Sequence, residues 1–403
     1  MNNKLYIVMV GLPARGKSTT ATKIMEDLRH DSVKVKIFNN GDLRRKMVSN
    51  NTSLAEFYDP NNMEGVSIRE KIAEINIAKA KKYLKAGGDV AILDATNASI
   101  ERRNKIQAML NDHPILFIEC INNDEEILNA SILRKIETPE FSHFSTEEAI
   151  RSFKKRISYY TPIYTSVKNE PNFIRINSLY KTVLREEIKN TLPFYDQIRD
   201  FLVTDTIKHL YLIRHGETFF NLENRIGGDS ELTEKGLSQA KDLAEYFRNM
   251  EVPLIFTSPK KRTIQTAEPI KAMQKKCTII PLAEFNEIDS GTCECMSYSE
   301  IRDKYPFIYS DRKKDKYNYA YPDGEGYASM KERIDRGINK VMYLSDSSSN
   351  IMIIGHRAAN RMILSHFLFR REEDVPYIYI PQDKFYYISV TQNRKFFQLK
   401  KYK

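Results

Sequence analysis

At 403 residues the chain is longer than one ordinary core organises, so two domains of roughly 200 residues are the starting expectation. Its 41% hydrophobic and 29% charged residues are globular proportions, which argue against a disordered or membrane-embedded chain. The net charge of +10 asks for anionic ligands, and the dispersed basic residues favour small phosphorylated anions over nucleic acid. Residues 5–10 are too short a run for a signal-peptide core. Cys120, Cys277, Cys293 and Cys295 show no framework spacing, which fits reduced thiols in a cytoplasm, and Cys293-x-Cys295 lacks the second pair a zinc site needs.

In chain order, residues 4–10 read as a buried strand, 18–28 as a helix and 33–38 as a second strand, before a polar segment over 39–62. Residues 68–85 have helical periodicity and stop at Gly87-Gly88. A third strand over 90–93 ends at Asp94, then come a helix (101–111), a strand (115–120), a helix (147–160) and a strand (173–176). Strand and helix alternate, which predicts a parallel sheet with crossover helices. Residues 182–202 read as a helix broken near Pro193, with a hinge at 203–206. A second alternating pattern follows: strand 209–213, helix 234–250, strand 254–257, helix 262–274, strand 351–354 and helix 359–368.

Gly11-Leu12-Pro13-Ala14-Arg15-Gly16-Lys17-Ser18 follows a strand and opens a helix, the setting in which a glycine-rich loop cradles a nucleotide triphosphate. Backbone N–H groups from Gly11 to Thr19 would face the phosphates of ATP. Lys17 would reach the β- and γ-phosphates, and the Ser18 hydroxyl would meet Mg²⁺. An empty turn is the plainer reading, but a Lys-Ser ending has no purpose in one. Asp94 is placed to hold the metal or its water, or, read alone, to cap a helix. Thr96 and Asn97 follow at once, where an acceptor substrate can be touched. No carboxylate stands out as a strong base, which phosphoryl transfer tolerates because positioning and charge neutralisation dominate.

On this loop and on Phe38-Asn-Asn-Gly-Asp-Leu-Arg44-Arg45, Glu64-Gly65-Val-Ser-Ile-Arg69 and Asp94-Ala-Thr96-Asn97, the chain resembles the 6-phosphofructo-2-kinase/fructose-2,6-bisphosphatase family nearly end to end. The resemblance implies fructose 6-phosphate contacts at Arg44, Arg69, Thr96, Arg102, Lys135, Arg156 and Tyr160, with Lys135 also near the nucleotide. Clustered arginines suit a phosphorylated sugar, although any single one also fits a solvated helix face. Ser18 replaces the family's usual Thr, Asn122 stands near a frequent cysteine and Ile100 where arginine is common. These departures bear on kinase strength rather than on the reaction.

Arg214-His215-Gly216 sits at a strand end, where a neutral imidazole can attack phosphorus if cations ring it. Arg214, Arg262 at a helix start and His356 at a separate strand end are the expected donors, with Asn221 on the same phosphate. Glu287 is the expected acid, protonating the leaving sugar oxygen and then activating water. A lone histidine is usually structural, but two such placements at strand ends argue for a site. The segment from 208 to about 398 resembles the histidine phosphatase (phosphoglycerate mutase-like) fold. Resemblance to the bisphosphatase half implies sugar contacts at Tyr298, Arg312, Lys316, Tyr327 and Arg361, with Gly227 in the loop 225–229 flanking the phosphate. Arg357 stands where the family has Gln, and Ala320 replaces a tyrosine-flanked arginine. The extra cation at Arg357 either tightens the hold on the sugar phosphate or shifts specificity.

The expected architecture is therefore α/β: a P-loop NTPase-type parallel-sheet domain over 1–205, then a histidine phosphatase domain over 206–403. The expected function is synthesis and degradation of fructose 2,6-bisphosphate. A nucleic-acid end-processing kinase–phosphatase and a sugar-phosphate sensor with a dead site are the rivals. The resemblance implies a cytoplasmic homodimer with neither nucleic acid nor membrane as partner. The chain starts almost at its first strand and stops just after its last, so little control by phosphorylation of terminal extensions is expected.

Overall fold

Leu5–Val10 (β1) is buried at every position, as a strand must be when crossover helices cover both faces of its sheet. The computed structural model describes residues 3–48, 52–136, 138–345, 350–368, 371–391 and 394–403, and the chain divides into two units, Met1–Thr204 and Asp205–Lys403.

In the first unit β1 pairs in parallel with Val90–Asp94 (β3) and Ile115–Ile121 (β4). Val35–Asn39 (β2) flanks β3, and Asn172–Asn177 (β5) flanks β4. Thr182–Ile188 (β6) closes the edge antiparallel to β5, giving the order β2-β3-β1-β4-β5-β6. Two apolar clusters fill the faces, one around Ile7, Met9, Ile92 and Ile118, the other around Val8, Val10, Leu93 and Phe117. The helices Lys17–His30 and Met63–Lys85 supply Ile24, Leu28, Ile77 and Leu84 to these clusters. Each such side chain fully buried contributes about 1.5–3 kcal/mol.

Two expectations fail here. Residues 182–188 form a strand, and only Tyr195–Val203 is helical, after Pro193 and a left-handed Phe194. Pairing with the exposed side of β5 decides the state of a segment whose own composition tolerates a helix. The polar stretch 39–62 is also structured. Asn39 accepts from the Asp42 amide and caps the helix Asn40–Met47, and Ala55–Tyr58 makes a 3₁₀ turn; residues 49–51 of that stretch lie outside the described residues.

In the second unit Ile207–Arg214 (β7) lies beside Asn350–Gly355 (β10), which pairs with Leu254–Thr257 (β8), itself beside Thr278–Pro281 (β9), all in parallel. Lys384–Val390 (β11) runs antiparallel to β7 and carries Lys395–Lys401 (β12) on its outer side. Both sheets are thus mixed, not purely parallel. Each gains an antiparallel edge from a hairpin, which needs no crossover helix. The helix Tyr327–Leu344, absent from the sequence expectation, buries Met330, Ile334, Ile338 and Val341 at helical spacing. Among the described residues no helix is long and apolar enough to cross a membrane.

His366, on the helix Arg357–Leu368, lies 2.8 Å from Asp335 and 3.7 Å from Asp205, just ahead of β7. Burial pushes its pKa down, but the two carboxylates outweigh burial and raise it to about 9. Stability from this triad is complete below the unfolded imidazole value of about 6.5 and is lost as pH rises through about 9. We predict that the calorimetric transition of the Asp205–Lys403 unit falls more steeply from pH 6.5 to 9.5 in the native chain than in His366→Gln. Parallel curves for the two proteins would remove the triad from the account.

Candidate active sites

The N-terminal site is built at the carboxyl ends of β1 and β3. Gly11 leaves β1 at φ 139°, and a Cβ there would lie 2.5 Å from the Cys120 carbonyl on β4, so only glycine fits. Gly16, at φ 85°, turns the loop into the helix Lys17–His30. The loop is fastened on both sides: the Gly11 amide donates to the Thr96 carbonyl at 3.1 Å, and the Ser178 hydroxyl to the Arg15 carbonyl at 2.9 Å. Lys17 is buried, with Nζ 2.6 Å from the Leu12 carbonyl. Burial lowers its pKa to about 8 against the pull of Asp94; Lys135 and Arg156 push the same way as burial.

Asp94 is 3% exposed and accepts from Asn39 Nδ2. It caps no helix, since Ser99 takes that place for Ile100–Met109. The plainer reading of Asp94 therefore fails. Asn39 joins two tasks, capping one helix through Oδ1 and steadying the carboxylate through Nδ2. Ser18 and Asp94 are hard oxygen donors of the kind Mg²⁺ takes, and two protein ligands suffice where phosphates and water complete the shell. Asn97, at φ 44°, anchors the segment by donating to the Met9 carbonyl at 2.8 Å.

Four of the residues expected at the sugar phosphate, Arg44, Arg69, Arg156 and Tyr160, gather around one side chain that the sequence reading passed over, Tyr58. Arg44 donates to the Tyr58 hydroxyl and to Glu140. Arg156 lies over the Tyr58 ring at 3.9 Å and Arg69 at 5.8 Å, with the Tyr160 ring at 6.1 Å. Arg69 also donates to the Phe57 carbonyl, and Arg102 is paired with Glu70. Burial lowers the pKa of Lys135, which faces Asp94 and Arg156 and so lies between nucleotide loop and arginines. Thr96 contributes its carbonyl to the loop anchor. Glu140 was likewise unforeseen; it binds Arg44 and Arg45 from a 3₁₀ turn with no motif to mark it.

The C-terminal site lies where β7 and β10 run side by side. The His215 amide donates to the Gly355 carbonyl at 3.0 Å, which sets the two histidine rings 5.2 Å apart edge to face. His215 Nδ1 is 2.7 Å from the Gly216 carbonyl; its proton belongs on that nitrogen, leaving the lone pair on Nε2. Burial, then the charges of Arg262 and Arg214, hold the His215 pKa well below the ordinary imidazole value. The ring is neutral at physiological pH, as a nucleophile requires.

His356 has a further part beside the one expected. Its Nδ1 accepts from Arg262 Nε at 3.1 Å, and its Nε2 faces the Ser258 hydroxyl at 2.8 Å. With Nδ1 accepting, the proton belongs on Nε2, so His356 both directs Arg262 and keeps a donor nitrogen, here facing Ser258. Arg262 Nη1 donates to the Gly228 carbonyl at 2.8 Å, and Arg214 is held by the Ile380 carbonyl, its buried Nε having no hydrogen-bond partner among the described residues. Burial, then the charge of Arg357, lowers Arg214 to about 10. Glu287 accepts from the amides of Arg357, Ala358 and Ala359 at 3.0–3.2 Å, so it is seated on the N-terminus of Arg357–Leu368. Asn221 Oδ1 accepts from Gln382, which also donates to the His215 carbonyl; no sequence signal marks Gln382. Gly227 and Gly228 have positive φ, and the Glu294 carboxylate packs where a Cβ of Gly227 would stand.

The remaining residues expected at the sugar include Arg312, Lys316 and Arg361, whose charges, with that of Arg357, lie near enough to act on one another. Arg361 donates to the Tyr327 hydroxyl at 2.9 Å and to the Ile378 carbonyl. Arg312 lies over the Tyr321 ring at 5.4 Å, while Tyr298 stands exposed at the start of Tyr298–Lys304. Arg357 is exposed at its helix start. Lys316 is 4.9 Å over the Tyr377 ring, and burial together with Arg312, Arg361 and Arg357 lowers its pKa to about 8. Above that pH Lys316 is neutral. Sulfate affinity at this pocket, measured by calorimetry on His215→Ala, should drop about fivefold as pH rises through 8. Lys316→Met should be weak and flat across the range; a variant retaining the step would assign the titration elsewhere.

A 6-phosphofructo-2-kinase family model matches residues 1–215, and one for the histidine phosphatase superfamily (branch 1) matches residues 210–402. The chain is 35% identical over 394 residues to 6-phosphofructo-2-kinase/fructose-2,6-bisphosphatase 4 of Rattus norvegicus, covering 94% of this chain and 81% of that one. It is 34% identical over 393 residues to 6-phosphofructo-2-kinase/fructose-2,6-bisphosphatase 3 of Homo sapiens, covering 94% and 73%. Among solved structures, a putative alpha-ribazole-5'-P phosphatase from Escherichia coli aligns with 48% of this chain and 95% of its own, at 22% identity and a TM-score of 0.44.

Proposed function

Because the chain belongs to the 6-phosphofructo-2-kinase/fructose-2,6-bisphosphatase family, we propose that its two sites carry the two opposed halves of that chemistry through the residues assembled above. The chain is a bifunctional enzyme: it phosphorylates fructose 6-phosphate at O2 with ATP and hydrolyses the 2-phosphate of fructose 2,6-bisphosphate.

In the kinase half, the loop Gly11–Thr19 wraps the triphosphate and Lys17 follows the γ-phosphoryl group. The arginines 44, 69, 102 and 156, with Lys135 and Tyr160, hold the 6-phosphate so that the 2-hydroxyl lies in line with the β–γ bond. Ser18 and Asp94 would hold Mg²⁺, which would offset the charge developing on the leaving ADP. Positioning and charge supply the rate, and no strong base is required.

In the phosphatase half, Nε2 of neutral His215 attacks the 2-phosphorus while the bond to sugar O2 breaks. Arg214 and Arg262 bind the phosphoryl oxygens. Glu287 gives its proton to O2, releasing fructose 6-phosphate, then takes a proton from the water that attacks the phosphohistidine. Inorganic phosphate leaves and both residues regain their starting states. The single observation that supports this half most is the Nδ1–Gly216 contact with Arg262 and Arg214 beside the ring, since it fixes tautomer, charge and anion binding together. The same reading includes a cytoplasmic homodimer; the four free cysteines support a reducing compartment, and sedimentation tests the dimer.

Lys17→Ala should lower kinase turnover at least about 100-fold and leave phosphatase turnover within about twofold. His215→Ala should do the reverse, and ³²P from 2-labelled fructose 2,6-bisphosphate should be trapped on native chain and Glu287→Gln but not on His215→Ala. Label retained in His215→Ala would overturn the assignment.

A further inference from the structure

Tyr58 belongs to no motif, yet three of the cations proposed for the sugar phosphate converge on it. The ring is 4% exposed, at the end of the turn Ala55–Tyr58, between the helices that carry Arg44, Arg69 and Arg156. Arg156 stacks on its face at 3.9 Å, close enough for a full cation–π contact, while Arg69 and Arg44 lie at 5.8 and 5.6 Å. Its hydroxyl accepts from Arg44.

Three guanidinium groups so close repel one another, and burial lowers the pKa of Arg44 and Arg69. Glu140 offsets the charge of Arg44; among the described residues Arg69 and Arg156 form no salt bridge with a carboxylate. A carboxylate beside each would neutralise the pocket and spoil it for an anion. An aromatic face supplies attraction without a formal charge, so the cations stay gathered and the pocket stays positive. Buried Arg44 Nε and Arg156 Nε have no hydrogen-bond partner among the described residues, which leaves donors for an incoming phosphate.

We infer that Tyr58 is a positioning residue for fructose 6-phosphate, holding Arg44, Arg69 and Arg156 in one anion-binding arrangement through its ring and, for Arg44, its hydroxyl. The inference rests on the kinase-site reading above. A tyrosine that merely packs the turn would affect both kinase substrates or only stability.

The test is steady-state kinase kinetics on the full chain for Tyr58→Leu, Tyr58→Phe and Arg69→Ala, with phosphatase turnover as the folding control. In Tyr58→Leu the KM for fructose 6-phosphate should rise about tenfold or more, with the KM for ATP and phosphatase turnover within about twofold. Tyr58→Phe keeps the ring and should recover most of the loss, remaining about threefold above native. An unchanged fructose 6-phosphate KM in Tyr58→Leu, or an equal rise in both KM values, overturns the role. If Tyr58→Leu loses phosphatase activity too, Tyr58→Phe decides: a KM selective for fructose 6-phosphate supports the role, and native constants overturn it. Arg69→Ala separates the two layers. A raised KM there with native Tyr58→Leu constants removes Tyr58 only, whereas a native KM in Arg69→Ala removes the sugar-phosphate site itself.

Discussion

Everything in this chain turns on keeping like charges close together. A phosphate carrying two negative charges is bound by several cations at once, and those cations must be partly buried to be strong. Burial and mutual repulsion both work against them. Lys17 and Lys316 each fall to about 8, and Arg214 to about 10. The two sheets answer the difficulty alike. Central strands buried at their carboxyl ends stop where the cations begin, and backbone carbonyls and aromatic faces join a few carboxylates in taking up the charge.

At His215 the same crowding becomes a chemical tool. Burial and then the guanidinium groups proposed for the phosphoryl oxygens lower the imidazole pKa, so one arrangement suits both anion binding and an unprotonated nucleophile. His356 contributes by accepting from Arg262, which fixes the direction of that guanidinium. The register of β7 on β10, with Arg214 opposite Gly355, is what sets both histidines side by side. Slipping that pairing by one residue would turn one ring to the opposite face of the sheet.

What could be read from the chain alone followed the range of the interaction concerned. The glycine loop and Arg214-His215-Gly216 were legible because their chemistry is local: a strand, a turn and a handful of consecutive residues. The sugar contacts are scattered over more than a hundred residues and came only through family resemblance, which also missed Tyr58, Glu140 and Gln382. Those three act through tertiary neighbours that no spacing reveals. Thr182–Ile188 was misread because an edge strand takes its state from its partner. The helix Tyr327–Leu344 is a different case: Met330, Ile334, Ile338 and Val341 already display its period. That signal was present and was absorbed into a substrate motif.

Glu287 rests on three amides at the start of Arg357–Leu368, and that helix also carries Arg361, which grips Tyr327. The carboxyl group proposed as proton donor is thereby the foot on which the helix carrying Arg361 stands. Those amides open the helix and have no carbonyl of an earlier turn to bind, so the Glu287 side chain is their acceptor. One helix start thus joins the residue proposed as acid to those proposed for the sugar, so a substitution at Glu287 also bears on the seat of Arg361 and Tyr327, one helical turn away.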